Sequence, residues 1–88
     1  MHKLTLLGTL GCHLCETAQI MLQEVLGDDI EMTLLDIAED EALFTQYGVH
    51  IPVLWIEFEG QKRELFWPFQ EAELVAAISS SNQRRYLI

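Results

Sequence analysis

The first apolar stretch, His2 to Leu7, is short, rich in leucine and closed by Gly8, which predicts a buried strand. After Gly11 the periodicity changes. Leu14, Ala18, Met21, Leu22, Val25 and Leu26 recur at helical spacing, with Glu16, Gln19, Gln23 and Glu24 facing outward. A helix is therefore expected from about Cys12, stopped by Gly27 and followed by an Asp28-Asp29 turn. Ile30 to Ile37 read as a second strand, in which Met32 and Leu34 alternate against Glu31 and Thr33. A short helix follows over about Asp40 to Tyr47. Glu39, Asp40 and Glu41 suit its positive end, and Gly48 stops it.

The alternation is cleanest in Val53 to Phe58. Leu54, Ile56 and Phe58 fall on one face of a third strand, Val53, Trp55 and Glu57 on the other. Glu59-Gly60 reads as a turn, and Gln61 to Trp67 as a fourth strand completing a hairpin. Pro68 is expected to open a last helix reaching about Ile78, which Ser79-Ser80-Ser81-Asn82 would end. The order βαβαββα defines an α/β fold, a four-stranded mixed sheet flanked by three helices. Its first two strands are parallel through a right-handed crossover, and its last two antiparallel. Residues 1–79 form one domain in this reading, and residues 80–88 a C-terminal tail.

Composition narrows the function classes. Half of the 88 residues are apolar and 22% are charged, as in a globular chain too short to divide between two cores. The net charge of −9 comes from 14 acids against 5 bases, and the bases form no stripe. Nucleic-acid binding gains its affinity by neutralising phosphates, and anionic membranes attract basic segments, so neither partner is expected. No apolar run approaches the length of a membrane span. Met1-His2-Lys3 followed by Leu4 to Leu10 and Gly11-Cys12 faintly resembles a lipoprotein signal. Thr5, Gly8 and Thr9 interrupt it, and cleavage there would remove a strand the domain needs, so a cytoplasmic, monomeric protein is expected.

The candidate chemistry lies in Cys12-His13-Leu14-Cys15, which holds both cysteines of the chain. A bridge across two intervening residues closes almost no loop, so its value lies in reactivity and not in stapling. At a strand-to-helix junction, unpaired N–H groups and the helix dipole favour a thiolate. Cys15, nearly one turn on, lies on the same face. Cys12, nearer the helix end, is then the nucleophile, and Cys15 the resolving thiol. A half zinc site is the competing reading, but zinc wants four ligands, and the remaining candidates, His2, His13 and His50, are scattered. Two merely structural cysteines are a further alternative. A protonated His13 would favour the Cys12 thiolate and Glu16 would oppose it; His13 is otherwise an exposed helix-start residue.

The dithiol after the first strand, Asp36-Ile37-Ala38-Glu39-Asp40, the short helix ending Tyr47-Gly48-Val49, and Ile51-Pro52 before a strand together resemble the thioredoxin-like layout. The short chain start is similar to glutaredoxins and small bacterial glutaredoxin-like proteins, over about residues 2 to 78. The resemblance implies a cis Pro52 beside the active disulfide, with Ile51 offering backbone hydrogen bonds to an extended substrate. A trans proline starting a strand is the plainer reading. Trp55, Phe66, Trp67 and Phe69 read as packing, but Trp67-Pro68-Phe69 falls where glutaredoxins bind their ligand, which makes Trp67 a candidate contact. Glutaredoxins hold glutathione with a basic residue before the first cysteine and a Gly-Gly then Asp after the last strand. Here Thr9-Leu10 and Trp67-Pro68-Phe69-Gln70 stand instead, so weak use of glutathione is expected. The expected function is thiol–disulfide exchange on protein or small disulfides, with an external thiol reductant and no bound cofactor. A binding or adaptor module with a redox-sensing dithiol is the alternative.

Overall fold

Strand β1 (Lys3–Gly8) is flanked by β2 (Glu31–Asp36) on one side and β3 (Val53–Phe58) on the other; β4 (Gln61–Phe66) completes the order β2-β1-β3-β4. The computed structural model of the chain describes residues 2–27 and 31–83, with side chains as far as Ile78. The expected Asp28-Asp29 turn, Ile30 and residues 84–88 lie outside the described residues. Helix α1 (His13–Leu26) makes the crossover between β1 and β2, α2 (Glu41–Tyr47) lies between β2 and β3, and α3 (Glu71–Gln83) closes the fold. The β1–β2 pair is parallel and the β3–β4 hairpin antiparallel, as expected from the sequence, and β1 also pairs antiparallel with β3.

Both faces of the sheet are covered, which is why Leu4, Thr5, Leu6 and Leu7 are buried in an unbroken run with no alternation. Leu4, Leu6, Leu54 and Ile56 pack against Ala18 and Leu22 of α1 and Leu74 and Ala77 of α3. On the other face Leu7 and Val53 meet Ile37 and Tyr47. The two-faced reading of β3 therefore holds for Leu54 and Ile56 on one face and Val53 and Trp55 on the other. In the hairpin turn Glu59 (φ 51°) and Gly60 (φ 81°) both take positive φ, the geometry that matches strand twist.

Five local expectations fail. Leu14, placed on the buried stripe of α1, is 47% exposed, because the helix turns Ala18 and Leu22 to the sheet and Leu14 lies at its free end. Leu34 is 55% exposed because β2 is an edge strand. Ile37 leaves the strand into a one-turn 3-10 helix, Ile37–Glu39, whose first turn Asp36 caps through a 2.9 Å bond from the Ala38 N–H. Pro68 does not open α3. It follows a cis bond from Trp67, in a bend, and the helix starts only after Gln70, whose N–H donates to Glu73 Oε1 at 2.9 Å. The helix also continues through the serines to Gln83. Low helix propensity at three adjacent serines is a weak effect, easily outweighed by the anchored turns before them.

Candidate functional site

The junction between β1 and α1 is built around small residues. Gly8 ends the strand, and a Cβ placed on it would lie 2.8 Å from Cys15 Sγ, closer than real side-chain contacts come. Its bare backbone is the seat of that sulfur. Gly11 takes φ 79°, a left-handed turn that lets the chain swing into the helix. The Cys12 N–H donates to the Thr9 carbonyl at 3.3 Å, closing the loop.

Cys12 is the N-cap of α1. Its Sγ accepts the Cys15 N–H at 3.1 Å, in the place where a serine or aspartate oxygen usually sits. Cys12 and Cys15 form a disulfide with their Cα atoms 5.2 Å apart. Cys15 is buried, at 9% exposure, and Cys12 is half-buried. The sulfur nearer solvent is thus also the one that receives a helix N–H, a donor that would hold negative charge there after reduction. His13 is exposed at the first helical position, where its carbonyl accepts the Thr17 hydroxyl at 3.2 Å. Glu16 is exposed in the same turn.

On the β3 side the register pairs Leu7 with Val53, so Pro52, the next residue out, lies at the end of the sheet where Gly8 closes β1. Pro52 is fully buried, the Ile51–Pro52 bond is cis, and the Pro52 carbonyl accepts the Trp67 N–H at 3.2 Å. The fold thus brings Cys12, Cys15 and Pro52 to one end of the sheet and ties Trp67 to them through the backbone. Ile51 is half-buried against the Leu7–Ile37–Tyr47–Val53 cluster, and Trp67 stands edge-on to Phe69 with ring centroids 5.2 Å apart.

Behind this flank lies a network that sequence reasoning missed. The Tyr47 hydroxyl and the Trp55 indole N–H, the latter at 2.9 Å, both donate to Glu64 Oε2. Lys62 Nζ sits 3.7 Å from the Trp55 ring centre. The Tyr47 hydrogen bond, then that of Trp55, holds the Glu64 carboxyl below the usual range. The same bond to Glu64, with burial, pushes the Tyr47 hydroxyl above its ordinary value. No spacing rule links residues 47, 55 and 64. The only sequence signal was their shared face, Trp55 and Glu64 being directly paired across the hairpin.

On the β2 side the disulfide borders an open cavity of about 250 Å³. Leu6, Leu10, Leu34 and Leu35 form its apolar wall, and Glu16 and Asp36 also line it. Among the described residues no group of three or more histidines, cysteines or carboxylates gathers to hold a metal ion. No helix among them is long and apolar enough to cross a membrane.

A cysteine pair at the strand-to-helix junction, beside a cis-proline and on a β2-β1-β3-β4 sheet with α1 and α3 on one face and α2 on the other, defines a thioredoxin-fold protein. The chain belongs to the glutaredoxin-like domain family (DUF836), which it matches over residues 3–79. A structural-genomics target protein from X. campestris is 35% identical, with a TM-score of 0.73 over 88% of this chain and 96% of that one. Thioredoxin 1 from Thermosipho africanus superposes with a TM-score of 0.66 at 20% identity, over 97% of this chain and 93% of its own. A mutant thioredoxin from Halobacterium salinarum matches at 25% identity and a TM-score of 0.62, over 91% of this chain and 74% of its own. No curated protein matches the chain. Fold and disulfide together support a redox role of the thiol–disulfide kind.

Proposed function

We propose that the protein is a thiol–disulfide oxidoreductase acting through Cys12 and Cys15. The observation that carries this reading is the position of Cys12, half-exposed at the N-cap of α1, with its sulfur receiving the Cys15 N–H. In the reduced protein the Cys12 thiolate attacks a substrate disulfide and displaces one half as a thiolate. The Cys15 thiol, losing its proton, then attacks Cys12 Sγ, forms the internal disulfide and releases the other half. Two electrons pass to the substrate, and an external thiol reductant restores the dithiol. A protonated His13 favours the Cys12 thiolate and Glu16 opposes it. Ile51 and Pro52, with Trp67 beyond, form the β3-side wall along which an extended substrate lies, its main chain meeting Ile51.

Glutathione is a poor fit. No basic residue stands at Thr9 or Leu10, and Pro68 has no N–H to offer a carboxylate clamp. The test runs two coupled assays on a neutral model disulfide, one with a thioredoxin-type reductase and one with glutathione. Turnover with the dithiol-based reductant and little with glutathione is the expected result. Turnover in neither assay would leave the adaptor reading in its place.

A further inference from the structure

The cavity on the β2 side of the disulfide is distinct from the Ile51–Pro52–Trp67 wall, none of whose residues lines it. At about 250 Å³ it is smaller than the ~300–1,000 Å³ sites that enclose whole small molecules. It suits a side chain. Its wall is leucine, and two of those leucines are held out to solvent, Leu10 at 91% and Leu34 at 55% exposure. The charged residues lining it are Glu16 and Asp36, and no Lys, Arg or His is among its lining residues. The outer edge of β2 is unpaired among the described residues and runs beside the cavity, offering main-chain groups to an extended chain.

Taken with the thiol–disulfide reading above, on which this inference rests, the geometry points to a basic polypeptide as the substrate. An apolar side chain next to the substrate cysteine enters the leucine-lined cavity, and a neighbouring Lys or Arg meets Glu16 and Asp36. The same two carboxylates turn anionic disulfides away. A second copy of this chain, with a net charge of −9, is a poor occupant.

The test uses short peptides whose single cysteine is joined to mercaptoethanol as a mixed disulfide. The cysteine is followed by Leu or Gly and then by Arg, Gln or Glu. The pre-reduced full chain is mixed with each peptide, and the second-order rate of the single turnover is measured. The dithiol is oxidised to the Cys12–Cys15 disulfide as the peptide thiol and mercaptoethanol are released. The Leu-Arg peptide should react on the order of tenfold faster than Leu-Glu, the scale of two charge contacts at a solvent-exposed rim. The ratio should fall toward one in the Glu16→Gln/Asp36→Asn variant. It should persist in Glu24→Gln, which removes one charge two turns further along α1. Leu34→Asn should erase the advantage of Leu over Gly. Binding is read separately, from amide shifts at Leu10 and Leu34 on adding the same peptides with serine in place of cysteine. Turnover without a charge or side-chain preference overturns the inference and leaves the oxidoreductase reading intact. Selective binding of Leu-Arg without turnover overturns the oxidoreductase reading, and the substrate role with it, and leaves the cavity as a binding site for basic peptides. Dimerisation by light scattering that occludes Leu34 would also overturn it.

Discussion

The two flanks of the disulfide are built on opposite plans. On the β3 side everything is tied down: Pro52 is buried and bonded to Trp67, and behind it Tyr47, Trp55 and Glu64 share hydrogen bonds. On the β2 side the strand is an edge, Leu34 faces solvent, and an open cavity borders the disulfide. The contrast follows from topology. Strand β3 has neighbours on both sides and a helix layer on each face, whereas β2 leans only on β1. One flank can therefore hold a reacting geometry rigidly while the other admits variable chemistry.

The largest expected effect falls where the flanks meet. Cys12→Ser should abolish disulfide reduction, and Cys15→Ser should trap mixed disulfides visible by intact mass. Full activity in Cys12→Ser would remove the centre about which the flanks are compared. Core truncation sharpens the contrast next. Leu54→Ala in β3 should cost about 2–5 kcal/mol in urea unfolding, whereas Leu34→Ala in β2 should stay within about 0.5 kcal/mol. Equal losses would mean that β2 is packed as tightly as β3.

Gly8→Ala should destabilise the protein by about 1–3 kcal/mol by crowding Cys15 Sγ. The loss should shrink in a Cys15→Ala background, which removes the crowded atom. If it does not shrink, Gly8 matters for some reason other than seating the sulfur. The smallest effect is the pH response of the β3 flank. Because the fold lowers the Glu64 pKa, its contribution is present above the ordinary carboxylate value of about 4 and is lost as pH falls through the lowered one. The raised Tyr47 value gives a contribution present below about pH 10 and lost as pH rises through it. Glu64 is exposed, so the acid-side effect should be under about 1 kcal/mol, and Glu64→Gln should flatten it in unfolding curves followed at several pH values.

Periodicity reveals elements whose faces are made by their own residues. The alternation of β3, the run of β1 and the stripe of α1 were legible for that reason, as was the dithiol at the junction. Exposure at Leu14 and Leu34 was not legible, because it depends on where an element lies in the sheet and not on its own pattern. Pro68 misled because proline suits both a first helical turn and a bend, and only the Gln70–Glu73 cap decides between them. Gly8 was read as a strand terminator. That its missing Cβ makes room for Cys15 needs the three-dimensional approach of a residue seven places on. The Tyr47–Trp55–Glu64 network was hidden for the same reason: its members come from three elements.

The central place of β1 has a consequence for synthesis. Lys3 pairs with Glu57 and with Glu31, so β1 leaves the ribosome before either of its partners, one of them 54 residues further on. Until Val53 to Glu57 emerge, Leu4-Thr5-Leu6-Leu7 is a short, uncharged, leucine-rich segment with at least one edge unpaired, the kind of sequence that pairs with other nascent chains. Closing so long a loop is entropically costly and slow relative to forming α1. Yield during expression should therefore respond more to chaperone supply and translation speed than the size of the domain would indicate.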